Sequence, residues 1–321
     1  MDTPQKITVL GAGRWGSLLA WLYHKYGRQV VLWNINDEFL QEWQTTRRNK
    51  YLAMPGGVEI TSDLEKALKF SEVIFISIRL QNFRVLCRQL QHHQFKNKTV
   101  ILAMKGLELT TGKRPSEILE EFFGKDVRIG FLAGPGHPQE ISQDIPTCMT
   151  VSAKEKSDLN KMVELCQTPL TKIYPNADLL GVEVGAAVKN VIGIAGGVLD
   201  ALDVPSIKSY LIARGPVEVG RLIEKMGGNF QTAFSLAHLG DYMATAFSYY
   251  SRSHQAGEMI VREKKILESA EGVPTAKTVK MLMDQYDLDM PICLAVYQIV
   301  HEQKDPKSIV KVLFDRPVEH E

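Results

Sequence analysis

Strand-like and helical patterns alternate along the first half of this chain, and that alternation constrains its fold more than any other feature. Segments with helical spacing, such as DLEKALKF and SEILEEFF, separate short runs rich in β-branched and apolar residues. The runs between Ile7 and about Tyr174 are ITVL, QVVLW, EVIFISI, TVILAM, VRIGFL, TCMTVS and LTKIY. Repeated βαβ units of this kind predict a largely parallel sheet covered by helices.

After Tyr174 the strand-like runs stop, and the apolar spacing becomes that of successive helices. Proline and glycine residues, among them Pro205, Pro274 and Pro291, separate the helical stretches. The predicted helices cover roughly residues 178–202, 206–226, 256–265, 276–286, 291–302 and 306–314. The sequence therefore predicts an α/β domain over residues 1–177 followed by an all-α domain over residues 178–321.

Net charge, cysteine spacing and hydropathy narrow the range of partners. A formal net charge of +1 over 321 residues produces no long-range field for nucleic acid or an anionic membrane, so a small acidic ligand must be bound by local charges. The four cysteines form no Cys-x-x-Cys pair, which argues against a zinc site and a disulfide framework. We expect no metal, no membrane insertion and a cytoplasmic location, because we find neither a signal peptide nor an apolar run of the roughly 20 residues that a membrane span requires.

The segment Gly11-Ala12-Gly13-Arg14-Trp15-Gly16 follows the first strand-like run and begins a helical pattern. In this setting the first glycine permits a tight turn, the second lets the backbone approach a pyrophosphate, and the third lets helix and strand pack closely. The amides at the start of the helix then meet the phosphate charge. The motif favours dinucleotide binding over its alternative, a glycine-rich turn without a ligand.

The residues after the second strand-like run leave the choice between NAD and NADP open. NAD sites typically place a carboxylate at the end of this strand, whereas NADP sites favour a nearby arginine. Here the strand runs into Asn34-Ile35-Asn36-Asp37, which offers neither at the expected position. We expect Asp37 to cap the following helix rather than to bind ribose.

Lys189 lies in the middle of a glycine-rich helical segment. Gly181 and Gly185 precede it by eight and four residues, and Gly193 and Gly197 follow it by four and eight, so all share its helix face. Each interior glycine costs about 1 kcal/mol relative to alanine, so the pattern needs a reason. Either the bare face lets a ligand lie beside the lysine, or the small residues permit close helix packing. The pattern favours the ligand, because burying an unpaired lysine on that face is costly.

Two further segments carry polar side chains that suit an anionic ligand. Met104-Lys105-Gly106 follows a strand-like run, and ligands collect at the carboxyl ends of parallel strands. His238-Leu239-Gly240-Asp241 precedes Thr245 and the polar and basic segment Ser251-Arg252-Ser253-His254. Taken singly, each has an equally good alternative: Lys105 as a solvated lysine, Asp241 as a turn residue and Arg252 as part of an exposed basic loop.

Nine strings occur in a fixed order along the chain: GAGRWG, MKGLE, GPGHPQEI, GVEVGAAVKNVIGIAGG, LIARG, HLGD, SRSHQAG, AEGVPTAK and MPICLAVYQIV. In this order and spacing the sequence resembles the bacterial-type NAD(P)-dependent glycerol-3-phosphate dehydrogenases over essentially its whole length. The resemblance implies an N-terminal Rossmann-like doubly wound sheet and an α-helical C-terminal substrate domain, usually in a homodimer. It also implies interconversion of sn-glycerol 3-phosphate and dihydroxyacetone phosphate with NAD(P)H, supplying glycerol 3-phosphate for phospholipid synthesis.

The resemblance implies roles for individual residues as well. Lys189 matches the family's proton-transfer residue, with Lys105 and Asp241 as the other catalytic positions. Arg252 matches a phosphate ligand, since its planar guanidinium pairs with two oxygens at once. The implied substrate-binding positions are Lys105, Gly134, Gly136, Lys189, Asn190, Asp241, Thr245, Ser251, Arg252 and Ser253. The implied cofactor-binding positions are Gly11, Gly13, Arg14, Trp15, Gly16, Ile35, Lys105, Pro138, Arg252 and Glu271.

Several positions depart from the family pattern. Gly136 replaces the usual Ser, Thr or Cys, so only its backbone amide can serve there, and Pro138 replaces the usual alanine. Ser253 replaces an asparagine, which shortens the polar side chain, and Ile35 stands where many relatives carry a polar or basic residue. Two other functions stay open on the sequence: a β-hydroxyacid-type dehydrogenase acting on another small acid, and a non-catalytic nucleotide-sensing protein.

Overall fold

The structure is a computed structural model that describes residues 5–35, 37–48, 52–246, 248 and 250–317. Its contacts divide the chain into two compact units. The first unit comprises Met1–Lys105 and Pro115–Leu179, and the second comprises Gly106–Arg114 and Leu180–Glu321. The chain thus leaves the first unit after Lys105 and returns to it at Pro115, which the sequence patterns do not indicate.

The first unit contains one eight-stranded sheet. Its strands are β1 Lys6–Leu10, β2 Gln29–Trp33, β3 Glu59–Thr61, β4 Val73–Ile76, β5 Thr99–Leu102, β6 Arg128–Ala133, β7 Thr147–Ala153 and β8 Thr171–Pro175. They lie in the order β3-β2-β1-β4-β5-β6-β7-β8, and all neighbours are parallel except β6 and β7. The predicted doubly wound architecture is confirmed. Among the strands of the described residues, β3 is the one that the sequence patterns miss, because three residues are too few to show a period.

Helices connect the strands and cover the sheet. They are α1 Arg14–Lys25, α2 Asp37–Thr46, α3 Leu64–Phe70, α4 Phe83–Leu90, α5 Pro115–Phe123, α6 Pro138–Ile141 and α7 Leu159–Cys166. Consecutive residues of the central strands are buried, as Ile74, Phe75 and Ile76 in β4 show, so both faces of the sheet are covered. The carboxyl ends of β1, β4, β5 and β6 meet at one edge of the sheet, where the loops carry most of the residues predicted for the cofactor.

The second unit is helical over its described residues from Leu180 onward. Its helices are α8 Leu179–Ala201, α9 Lys208–Lys225, α10 Asp241–Ala246, α11 Arg252–Glu263, α12 Gly272–Tyr286, α13 Pro291–His301 and α14 Pro306–Phe314. A π-helical turn, Leu236–Gly240, precedes α10, and 3₁₀ turns cover Pro205–Ile207 and Phe230–Phe234. The six predicted helices all form, whereas residues 230–246 are missed because these pieces are too short for a visible period. An ion pair between the partly buried Arg114 and the fully buried Glu183, 2.6 Å apart, attaches the segment Gly106–Arg114 to α8.

The helix α8 is both long and apolar. With 23 residues and a mean hydropathy of 1.5 over an 18-residue window, this helix is long and apolar enough to cross a membrane. The expectation that the chain has no such apolar run is therefore wrong. That window is 100% buried inside the protein. A mostly apolar helix that is buried on all sides is typical of the centre of a core, and Val188, Val191 and Ile192 have no exposed surface. We conclude that α8 is the core helix of the second unit.

Candidate active site

The glycine turn after β1 has the geometry that its motif predicts. Gly11 has a φ of +109°, and a Cβ there would collide with the carbonyl oxygen of Ser77, so only glycine fits. A Cβ on Gly16 would collide with the Gly11 carbonyl oxygen, so Gly16 lets α1 pack against the turn. The protein's own backbone therefore requires both outer glycines of the motif.

Gly13 differs from the other two because it faces open space. Apart from its chain neighbours, no described heavy atom lies within 4 Å of a Cβ built on it. Gly13 is the N-cap of α1, and among the described residues no side chain caps this helix and no acidic residue lies in its first turn, which begins with Arg14 and Trp15. The start of such a helix attracts anions. The turn thus fits the pyrophosphate of a dinucleotide.

Among the described residues at the end of β2 there is neither a carboxylate of the kind that binds NAD nor an arginine of the kind that binds NADP, as the sequence indicates. Asn34 Oδ1 accepts a hydrogen bond from the Ala12 amide at 3.4 Å, which ties this strand end to the glycine turn. Ile35 is 66% exposed and presents only an apolar surface. The predicted capping by Asp37 rests on a side chain outside the described residues, and Asn36 lies outside them too. The described residues here favour neither NAD nor NADP.

Lys105 follows β5 and faces the loop after β6. Its ammonium donates a hydrogen bond to the Gly134 carbonyl oxygen at 3.4 Å. Gly134 has a φ of +131°, and a Cβ there would lie 2.9 Å from Met149 Cα, so this turn also requires glycine. Gly136 follows in the same loop, and Pro138 is the first residue of α6. These predicted residues therefore lie at the same edge of the sheet as the glycine turn.

In the second unit, Lys189 is buried on α8 with two polar partners. Its ammonium donates hydrogen bonds to Asp241 Oδ1 at 2.9 Å and to Thr245 Oγ1 at 2.6 Å. Lys189 is 7% exposed and Asp241 is 3% exposed. The opposite charges offset part of the cost of burying each. The structure thus brings three predicted residues together and holds the lysine in one orientation.

The start of α11 carries three more predicted residues. Ser251 is its N-cap, and the Ser251 hydroxyl accepts a hydrogen bond from the His254 amide at 3.3 Å. Arg252 is the first residue of the helix and is half-buried, and Ser253 is buried. A helix N-terminus favours an anion, and an arginine there adds a full positive charge. This position suits a phosphate group.

Asn190 lies against the start of α12. A Cβ on Gly272 would collide with the Asn190 carbonyl oxygen, so the two helices approach closely at this point. Glu271 immediately precedes Gly272, and its carbonyl oxygen accepts the Thr275 hydroxyl at 2.6 Å. The structure therefore places Glu271, predicted as a cofactor contact, one residue from the contact between α12 and α8.

The glycine face of α8 is filled by neighbouring elements of the second unit. A Cβ would approach too closely at three positions: Gly185 toward His238, Gly193 toward Thr245, and Gly197 toward the carbonyl oxygen of His254. The interpretation that these glycines leave a bare face for a ligand is wrong at these positions. Instead they permit the close packing that brings Asp241 within reach of Lys189.

Two residues to which the sequence patterns assign no role take part in these arrangements. Asn34 holds the glycine turn, and its place directly after β2 was the available signal. His238 contacts the Gly185 carbonyl oxygen, and its place in the string HLGD, three residues before Asp241, was the available signal. Within the described part of the chain, no group of three or more His, Cys, Asp or Glu side chains could hold a metal ion.

Comparison with known proteins connects this geometry to one family. The family model for the N-terminus of NAD-dependent glycerol-3-phosphate dehydrogenase matches residues 6–159, and the model for its C-terminus matches residues 178–311. The glycerol-3-phosphate dehydrogenase (NAD(P)+) of Syntrophomonas wolfei is 32% identical over 98% of this chain and 96% of its own length. That of Prosthecochloris aestuarii is 35% identical over 97% and 98%. The crystal structure of the Coxiella burnetii glycerol-3-phosphate dehydrogenase matches with a TM-score of 0.91 and 26% identity, over 98% of this chain and 99% of that one.

Proposed function

Because this chain belongs to the NAD-dependent glycerol-3-phosphate dehydrogenase family, we propose that it interconverts sn-glycerol 3-phosphate and dihydroxyacetone phosphate by hydride transfer with NAD(P)H. One observation carries the proposal: the Lys189 ammonium is buried and held by the Asp241 carboxylate and the Thr245 hydroxyl. Reduction of a ketone requires a positioned proton donor, and this lysine provides one.

Reduction of the ketone carbon builds negative charge on its oxygen, and we assign Lys189 to neutralise that charge. When bound, the reduced nicotinamide supplies the hydride that forms the new C–H bond. Lys189 Nζ donates one proton to the carbonyl oxygen, which produces the hydroxyl of glycerol 3-phosphate and leaves a neutral amine. In the reverse direction the amine accepts that proton. Asp241 and Thr245 orient the nitrogen throughout.

We assign the phosphate of the substrate to the start of α11. Arg252 is suited to pair two phosphate oxygens, and Ser251 and Ser253 flank it. Ser253 reaches less far than the asparagine of the family pattern, so we expect a weaker polar contact there. We propose that the remaining substrate contacts come from Lys105, Gly134, Gly136, Asn190 and Thr245.

We assign the cofactor to the glycine turn of the first unit. Gly13 leaves space for a pyrophosphate, and α1 begins there with no acidic residue in its first turn among the described residues. The remaining proposed cofactor contacts are Gly11, Arg14, Trp15, Gly16, Ile35, Lys105, Pro138, Arg252 and Glu271. The assay described below compares NADH and NADPH directly.

The location, oligomeric state and metabolic role of the enzyme are also part of the proposed function. We propose a cytoplasmic homodimer that supplies glycerol 3-phosphate for phospholipid synthesis, with no nucleic-acid partner and no membrane insertion. The small net charge of +1 argues against a nucleic-acid partner, and the complete burial of the apolar window of α8 argues against membrane insertion.

A spectrophotometric assay of the purified full chain tests the function. We expect oxidation of NADH or NADPH when dihydroxyacetone phosphate is added, followed through the absorbance of the reduced nicotinamide. Dihydroxyacetone, which lacks the phosphate, should react about 100-fold less efficiently or worse, because it cannot use the binding energy of Arg252. Turnover of a non-phosphorylated hydroxyacid without competition by glycerol phosphate would contradict the proposed substrate. Cofactor binding without any turnover would contradict an enzymatic role.

The variant Lys189→Met tests the proton-transfer assignment. We expect kcat to fall by about 100-fold or more, with NADH affinity unchanged, because methionine retains the apolar length but has no proton to donate. Lys98→Met is the matched control: Lys98 is 5% exposed and donates to the carbonyl oxygens of Leu68 and Ser71, within the first unit. The control should lose stability but keep the kcat of the folded enzyme. Near-wild-type turnover by Lys189→Met would show that the assignment is wrong.

A further inference from the structure

His238 is a buried polar residue that the reaction described above does not use. It has no exposed surface and lies in the π-helical turn Leu236–Gly240, three residues before Asp241. Its Nδ1 lies 2.9 Å from the carbonyl oxygen of Gly185, which is four residues before Lys189. His238 therefore joins the same two stretches of chain that Lys189 and Asp241 join, about one turn earlier on each.

The protonation state of His238 defines the direction of this hydrogen bond. Burial lowers the pKa of His238 to about 4, although the hydrogen bond to Gly185 and the charge of Asp241 act in the opposite direction. The ring is thus neutral near pH 7 and carries one N–H. Because a carbonyl oxygen only accepts, that proton is on Nδ1, which donates to Gly185. Nε2 has no hydrogen-bond partner in the part of the chain that the structure describes, so the bond to Gly185 holds the ring.

The contact between His238 and Gly185 is close enough to define the docking of the turn. A Cβ on Gly185 would lie 2.9 Å from His238 Cβ, so the approach requires glycine. The π-helical turn ends at Gly240, and Asp241 is the first residue after it. Such turns insert extra backbone into a helix and often occur at functional sites. The position of the Asp241 carboxylate therefore depends on where this turn docks on α8.

We propose that His238 is a positioning residue: by docking the π-helical turn on Gly185, it holds the Asp241 carboxylate 2.9 Å from the Lys189 ammonium. The inference rests on the proposed proton-transfer role of Lys189 and adds a residue to that machinery. His238 acts through Asp241, since its own hydrogen bond is made to the backbone of α8.

Two variants of His238 in the full chain separate the donor from the volume of the ring. His238→Leu removes the N–H, whereas His238→Asn retains an N–H donor near the position of Nδ1. With dihydroxyacetone phosphate and saturating reduced cofactor, we expect His238→Leu to lower kcat by about 10- to 100-fold, because a displaced carboxylate misorients the lysine. The KM for the cofactor should stay within about two-fold, and His238→Asn should recover most of the kcat.

Thermal unfolding and cofactor titration establish that each variant is folded before its kcat is interpreted. A folded His238→Leu with kcat within about two-fold of wild type would overturn the inference. If His238→Leu does not fold, His238→Asn decides alone, and a loss of more than about ten-fold in that folded variant would overturn it. The pH profile of kcat should be the same for His238→Asn and wild type. If the profile of His238→Asn lacked one of the pH-dependent limbs of the wild-type profile, His238 itself would exchange protons in the reaction, and the inference would be overturned. Wild-type protein inactive toward dihydroxyacetone phosphate would instead contradict the proposed function.

Discussion

The glycine turn of the first unit and the glycine face of α8 are both rich in closely spaced glycines but have different structural roles. At Gly13 a Cβ would meet no described atom within 4 Å, whereas at Gly197 it would collide with the backbone of His254. The first position leaves a space that a cofactor can enter, and the other is a space that the protein fills with its own chain. Glycine spacing therefore indicates a close approach without saying what approaches.

The starts of two helices differ in the same way. The first turn of α1 has no acidic residue in the described structure, while α13 is capped by Glu218, which accepts the amides of Ile292 at 2.8 Å and Cys293 at 3.2 Å. Glu218 is 4% exposed, and its burial raises its pKa to about 8 even though both amides favour the charged form. The start of α1 thus has no acidic side chain among the described residues, whereas the start of α13 is capped by a carboxyl group from within the second unit.

We expect the largest effect when a methyl group is added to the filled glycine face. Gly197→Ala forces the backbone around His254 to move, so the free energy of unfolding should fall by about 3 kcal/mol or more. Gly215→Ala is the matched control, because Gly215 is also buried inside a helix but its Cβ would meet Ile192 at an ordinary 3.8 Å. There the helix propensity of alanine should raise stability by up to about 1 kcal/mol. Denaturant unfolding measures both, and equal stabilities would mean that the face is not filled.

The reverse experiment adds a methyl group to the open turn. Gly13 has a φ of −69° and a ψ of −176°, which alanine adopts readily, so Gly13→Ala should keep its thermal stability. Its Cβ enters the space proposed for the pyrophosphate, and we expect NADH affinity to fall by about 100-fold. NADH titration of Gly13→Ala and of folded Gly197→Ala compares the two glycine clusters directly. Lost stability with unchanged NADH affinity in Gly13→Ala would contradict the assignment of the turn to the cofactor.

A pH series sharpens the contrast between the two helix starts and has the smallest expected effect. The pKa of Glu218 rises from an ordinary 4.5 to about 8 on folding, so its contribution to stability is fully present below pH 4.5 and is lost as the pH rises through 8. From about pH 6 to about pH 9, wild type should lose on the order of 2 kcal/mol more stability than Glu218→Gln, which cannot ionise. Unfolding measured across this range tests the difference. Parallel stability curves for the two proteins would contradict it.

The elements that the sequence predicted share one property: their patterns are local. The strands and long helices follow from runs of adjacent residues, and the glycine turn follows from its place between β1 and α1. The sequence did not predict β3 or the segment 230–246, because their strands and helical turns are too short to show a hydrophobic period. The bare face proposed for α8 was wrong for a different reason, since the spacing on one helix carries no information about what packs against it.

In the candidate site too, some features depend on neighbouring residues and others on contacts between residues that are remote in sequence. Family resemblance named Lys189, Asp241 and Thr245, but 52 and 56 residues separate the lysine from its two partners, and only the packing of α8 against α10 shows them in contact. By itself the sequence determined the fold class, the glycine turn between β1 and α1 and the identity of the polar residues, because each depends on neighbours along the chain. The tertiary structure alone decided which glycines are filled, which buried charges are paired and where His238 docks, because those depend on distances between residues that are remote in sequence.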